Sequence, residues 1–222
     1  MSDPLQVTHL GLIDYQQAYR RQLETVDEVR AGAPSQLLFC EHPAVLTLGR
    51  MTKPGTVLWS PEQLEKAGVQ LVKVDRGGDV TLHAPGQLVV YPIVDLNRYG
   101  RDLHRHLRLL EDVAMAVLRR FDIEPRREPG QTGVWVGPDK LVSIGIGVKR
   151  WITYHGIGIN VNTDLSLFRM IKPCGLNVEM SSISHIIGRN LDMNDVMAKV
   201  RDEFFRVYAD NKGVYHGTRN AA

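Results

Sequence analysis

Lys140-Leu141-Val142-Ser143-Ile144-Gly145-Ile146-Gly147-Val148 and, two residues later, Trp151-Ile152-Thr153-Tyr154-His155-Gly156-Ile157-Gly158-Ile159-Asn160-Val161 read as two successive strands. Apolar residues alternate or run continuously through both, which suits elements of a sheet. The glycine pairs Gly145/Gly147 and Gly156/Gly158 are not followed by a third glycine at the dinucleotide spacing, so neither is a Rossmann fingerprint. Strand glycines suit places where something slim passes or where backbone packs close. Ser143 fails as a hydrolase nucleophile, because the residues before it lack the first glycine of the elbow.

Downstream lies Ile171-Lys172-Pro173-Cys174-Gly175-Leu176. A cysteine between proline and glycine sits where the backbone is stiff on one side and free on the other, so its sulfur can be presented at a turn. A thiol with an ordinary pKa of about 8.5 is mostly protonated at neutral pH and needs a nearby cation or base to attack. Lys140 and His155 are the candidates in this region. The other cysteine, Cys40, follows the apolar run Gln36-Leu37-Leu38-Phe39 and reads as a small buried hydrophobe.

Upstream, the spacing of Tyr15, Ala18, Tyr19, Leu23 and Val26 predicts an amphipathic helix over 14–30 after an Asp14 cap. Residues 37–40, 45–48 and 69–74 read as short strands, and 88–94 is a further apolar run. Gly49 to Thr56 is a loop that lacks the Gly-Lys-Ser/Thr ending of a phosphate loop. In Asp75-Arg76-Gly77-Gly78-Asp79-Val80-Thr81-Leu82-His83-Ala84-Pro85-Gly86-Gln87, paired glycines follow a strand, and the alternation sets Thr81 and His83 opposite Val80 and Leu82. That makes a candidate pocket wall, with a plain hairpin as the alternative. Helices are expected over 102–121 and 190–208, and strands over 133–136, 140–148 and 151–161. The arginines at 101, 105, 108, 119, 120, 126, 127 and 150 form either a solvated face or a basic rim for an acidic partner.

The 222 residues suit one domain, expected to span 1–222 with an ordered core over about 5–210. A net charge of +2 and the lack of a recognisable motif argue against nucleic-acid binding. No apolar run approaches the roughly 18 residues of a membrane span, and the start shows no signal pattern, so a soluble cytoplasmic protein with no membrane association is expected. Two cysteines are too few for a disulfide framework, and no histidine falls in a zinc spacing, so no metal is expected.

Taken together, Arg76 through Val89, Lys140 before Ser143-Ile144-Gly145, Trp151 through Asn160, and Pro173-Cys174-Gly175-Leu176 resemble, in the same order, the lipoyl(octanoyl) transferases of lipoate biosynthesis. The resemblance runs from the first helix to about Ser182. It implies an α+β fold like that of biotin and lipoate protein ligases, with a mixed, largely antiparallel sheet flanked by helices. It also implies an octanoyl group carried from acyl carrier protein as a thioester on Cys174, activated by Lys140, to a lysine on the lipoyl domains of 2-oxoacid dehydrogenase E2 subunits or the glycine cleavage H protein. The implied acyl pocket is Arg76, Gly77, Gly78, Asp79, Val80, Thr81, Leu82 and His83, with Ser143, Ile144, Gly145 and Gly156, Ile157, Gly158. No cofactor is implied, because the donor thioester is already activated, and a monomer is expected. Two positions depart from the family pattern: Leu82 stands where an aromatic is usual, and Ala84, where a glycine is usual, would narrow the pocket or tilt its backbone. The rival readings are an ATP-dependent lipoate or biotin protein ligase of the same fold, and a non-catalytic module that binds lipoyl domains or carrier protein.

Overall fold

Asp14 ends an incoming strand and begins a helix: its carboxylate accepts from the amides of Gln16 and Gln17 at 2.9 and 3.1 Å. The structure, a computed structural model, describes residues 5–172 and 179–211. In chain order the elements are β1 (Gln6–Leu12), α1 (Tyr15–Arg30), β2 (Gln36–Glu41), β3 (Val45–Leu48), α2 (Pro61–Lys66), β4 (Gln70–Lys73), β5 (Val80–His83), β6 (Gln87–Ile93), α3 (Leu103–Arg119), β7 (Val134–Val136), β8 (Asp139–Lys149), β9 (Ile152–Asn160), α4 (Ile183–Ile187) and α5 (Met193–Asp210). Short 3-10 turns cover Leu96–Tyr99 and Leu165–Met170.

The strands divide between two sheets. The larger runs β1-β2-β6-β9-β8-β7, and only its β1–β2 pair is parallel. The smaller runs β4-β3-β5, with β3–β4 parallel. Alternation along the strands splits the core into two layers. Leu37, Phe39, Leu88, Val90, Ile157 and Ile159 face α3 and α5, whereas Leu38, Cys40, Val89, Tyr91 and Ile93 face α1. Every residue of β9 is buried, as a central strand covered on both faces must be. A third cluster, including Leu46, Leu64, Val80, Leu82 and Met170, holds the small sheet to α2 and to the 165–170 turn.

β1 and α2 lie outside the sequence expectations. β1 is an edge strand with irregular exposure, so its periodicity is weak. By contrast, α2 begins with Ser60-Pro61-Glu62-Gln63, a capping box with proline at the first helical position. The basic helix α3 lies on the side of the sheet away from α1, and two of its arginines, with two that follow it, meet acids. Arg108 and Arg127 both reach the buried Glu111 carboxylate, Arg119 lies 3.7 Å from Glu124, and Arg120 lies 3.5 Å from Asp202. Among the described residues no helix is long and apolar enough to cross a membrane.

Where α3 packs on α5, His106 is fully buried and its Nδ1 meets the Tyr208 hydroxyl at 3.1 Å. Burial holds its pKa down to about 4. An unfolded chain takes up this proton near pH 6.5, so between about 6.5 and 4 the unfolded state binds more protons and stability falls as pH drops. We expect chemical denaturation across this window to show that loss, and His106→Gln to flatten it by on the order of 2 kcal/mol. An unchanged slope in the variant would place the acid sensitivity elsewhere.

Candidate active site

A cavity of about 550 Å³ opens between the α1 side of the large sheet and the β4-β3-β5 sheet. Ser143 and Gly145 of β8, Gly156 and Gly158 of β9, and Val89 and Tyr91 of β6 form one wall, and the turn after β4 with the start of β5 forms the other. Tyr15, Tyr91, His83 and His155 line it with buried rings, while Met51, 68% exposed, and Lys53 lie at its mouth.

The turn is held by Arg76. Its buried guanidinium donates to the carbonyls of Gly77 and Asp79 at 3.0 and 2.7 Å, and to the carbonyl and hydroxyl of Thr47 on β3 at 2.8 Å each. These donors serve the protein's own backbone, so Arg76 shapes the wall. Asp75, one residue earlier, accepts from Tyr19 of α1 at 3.2 Å, from Tyr154 at 2.6 Å and from His155 Nε2 at 2.9 Å. The His155 hydrogen bond first, then those of the two tyrosines, hold its carboxyl well below the usual carboxylate range against the opposing effect of burial. Burial in turn lowers the pKa of His155, against the opposing pull of the Asp75 carboxylate.

His155 reaches Asp75 through an unusual backbone. Simple alternation would send it away from Tyr154, but it has φ +56°, a left-handed conformation uncommon outside glycine. The β6–β9 ladder stops at Val90–Ile157, and the freed His155 amide donates to Gln22 of α1 at 2.8 Å. Tyr154, His155 and Gly156 thereby come together on the cavity side. Sequence reading placed His155 as a possible partner of the cysteine; the structure gives its Nε2 to Asp75.

Lys140, the first β8 residue to point into the cavity, extends Nζ to the Thr132 carbonyl at 3.1 Å and lies 4.9 Å from the centroid of the Trp135 ring. Its side chain passes over Gly133: a Cβ there would sit 2.7 Å from Lys140 Cε and 2.6 Å from the Val142 carbonyl. Gly133 also holds φ +137° and donates its amide to the buried Glu111 carboxylate at 3.2 Å. Glu111 thus fixes the floor on which Lys140 lies, a role sequence reading did not find.

Cys174 and its neighbours Pro173, Gly175 and Leu176 lie outside the described residues. The chain on both sides of them is anchored at the cavity. Lys172 donates its amide to the Thr56 carbonyl at 2.8 Å, while Lys140 exchanges backbone hydrogen bonds with Glu179 and Ser181 at 2.9 Å each. Lys172 and Met180 both line the cavity.

Of the expected acyl-pocket residues, Arg76, Gly78, Asp79, Val80, Thr81, His83, Ser143, Ile144, Gly145, Gly156, Ile157 and Gly158 line the cavity. Gly77 and Leu82 do not. Gly77 is turned to the end of β8, its amide on the Ile146 carbonyl at 2.9 Å, and the alternation of β5 sends Leu82 into the core beneath the small sheet. Ala84 is buried in that same core and is absent from the cavity wall, so it does not narrow the pocket with its side chain. Tyr15, Tyr91 and Phe168 were missed because residues from distant segments meet there with only core-like sequence around them.

The lipoyl protein ligase A/B catalytic domain model matches residues 14–205. An octanoyltransferase of Geobacter metallireducens is 44% identical over 202 residues, covering 90% of this chain and 92% of that one. Lipoate-protein ligase A crystallised with ATP superposes with a TM-score of 0.67 at 17% identity, covering 95% of this chain and 85% of the other. Biotin protein ligase from Aquifex aeolicus superposes with a TM-score of 0.55 at 14% identity, covering 94% of this chain and 70% of the other. These two structures share the fold, α+β with mixed sheets flanked by helices. The chain belongs to the lipoyl protein ligase A/B catalytic-domain family.

Proposed function

We propose that this chain, as a single catalytic domain, moves an octanoyl group from acyl carrier protein to the lysine of a lipoyl domain through a thioester on Cys174. The observation that carries the reading is the placement of Lys140 inside a cavity to which both described flanks of the Cys174 segment are anchored. The activity is octanoyl transfer, the one for which relatives at 41–44% identity are named. An adenylating ligase is the weaker reading, because the ligase structures share the fold at only 14–17% identity.

In the first half of the reaction the Lys140 ammonium stabilises the Cys174 thiolate. The thiolate attacks the carrier thioester, a new C–S bond forms, the carrier's C–S bond breaks, and the carrier leaves as a thiol with the proton that Lys140 gives up. Acylation removes the negative charge beside Lys140, so the ammonium gives up its proton more readily. In the second half the acceptor lysine amine attacks the acyl carbon, the C–S bond to Cys174 breaks, and Lys140 takes the proton released by the nitrogen. The donor is already activated, so no nucleotide enters.

Intact-mass spectrometry with octanoyl-carrier protein and no ATP should show a hydroxylamine-sensitive octanoyl adduct on the wild type. Cys174→Ala should show none, and Lys140→Ala should acylate about 10²–10⁴-fold more slowly. Transfer that appears only with ATP and free octanoate would move the assignment to a ligase. Gly133→Ala, whose methyl would stand 2.7 Å from Lys140 Cε and 2.6 Å from the Val142 carbonyl at φ +137°, should both slow acylation and lower the melting temperature; wild-type acylation in this variant would show that the course of Lys140 over Gly133 is immaterial.

A further inference from the structure

The hydrogen bonds around His83 determine which of its nitrogens holds the proton. A backbone carbonyl only accepts, so the Ser181 carbonyl, 2.9 Å from Asn160 Nδ2, fixes the orientation of the Asn160 amide. Asn160 Oδ1 then accepts from Gln87 Nε2 at 2.8 Å, and the same Gln87 nitrogen faces the Leu82 carbonyl at 3.2 Å. Gln87 Oε1 is therefore the atom 2.7 Å from His83 Nδ1. An amide oxygen cannot donate, so Nδ1 carries the hydrogen and Nε2 is a bare lone pair.

The ring stays neutral at any working pH: burial first, and then neighbouring His42, hold its pKa down to about 3. His83 lines the cavity, and Nε2 has no hydrogen-bond partner among the described residues. Tyr15 repeats the pattern. His155 gives Nε2–H to Asp75, so its Nδ1 accepts from the Tyr15 hydroxyl at 3.4 Å, and the tyrosine oxygen keeps its lone pairs for the cavity. The Tyr15 and His83 rings stack with centroids 6.0 Å apart. This part of the wall offers two acceptors, which an oxyanion or thiolate would find repulsive and an amine with N–H bonds to give would find complementary.

We infer that His83 Nε2, with the Tyr15 oxygen beside it, accepts N–H bonds from the acceptor lysine and so aims the amine's lone pair at the acyl carbon in the second half of the reaction. This rests on the thioester reading proposed above. During attack the nitrogen pair forms the C–N bond, the C–S pair leaves with Cys174, and the proton lost by nitrogen goes to Lys140; His83 holds the amine without taking its proton. A base with so low a pKa is poorly matched to removing that proton, and an orienting acceptor needs no such match.

The two halves of the reaction separate this role from a structural one. His83 also lines the pocket, so with octanoyl-carrier protein alone His83→Ala should slow acylation too, but at least about tenfold less than it slows transfer, because the contact it makes to the amine is absent from the first half. Handing the group from the isolated acyl-enzyme to a lipoyl domain should slow by about 10²-fold or more. Acylation slowed as much as transfer, or transfer at the wild-type rate, overturns the inference alone. Failure of the wild type to form any adduct overturns the thioester reading and the inference with it. Long-range ¹H–¹⁵N spectra of the histidines provide a test that needs no activity: protonated Nδ1 and bare Nε2 on His83 are expected, and an Nε2–H tautomer would overturn the assignment.

Discussion

A single left-handed residue in the middle of the central strand determines where everything around the cavity stands. His155 sits at φ +56° between Tyr154 and Gly156. For a residue with a Cβ that conformation is unfavourable by roughly 1–2 kcal/mol, and it persists because the surroundings over-determine it. The amide freed from the β6 ladder finds Gln22, and the ring finds Asp75. Because Asp75 immediately precedes Arg76, these bonds fix the base of the turn that closes the cavity, and Arg76 carries the constraint on to Thr47 of β3. The two sheets are thus joined through a carboxylate that accepts from three buried or half-buried donors, and the space between them is what remains for a ligand.

Most of the scaffold was legible because its signals are local. Asp14 followed by a three-and-four spacing becomes a capped helix, and the alternating or continuously apolar stretches become β2, β3, β6, β8 and β9. The division into two sheets was not legible, since it depends on pairing between segments far apart in sequence. α2 was legible and overlooked: Ser60 and Gln63 form a capping box that the local residues alone specify.

The site was legible to the extent that its residues lie in recognisable motifs. Thr81 and His83 face the cavity as the alternation of β5 requires, and the same alternation carries Leu82 into the core. The role of Asp75 could not be read, because its three partners come from α1 and β9. Nor could that of Glu111, one of two adjacent acids on a basic helix until its burial beneath Gly133 is seen. His155 is the instructive case: period-two reasoning puts it on the wrong side of the strand, and only the left-handed turn restores it.

The strand glycines that border the cavity owe their smallness to the protein itself. A methyl on Gly145 would lie 2.9 Å from the Gly77 carbonyl, one on Gly156 would lie 2.3 Å from the Val90 carbonyl, and one on Gly158 would approach the Gln87 amide at 3.0 Å. Intolerance of substitution at these positions would therefore report on how the wall is assembled. Read as evidence of acyl-chain contact, a mutational map of this cavity would draw the ligand's outline too large and assign to recognition what belongs to packing.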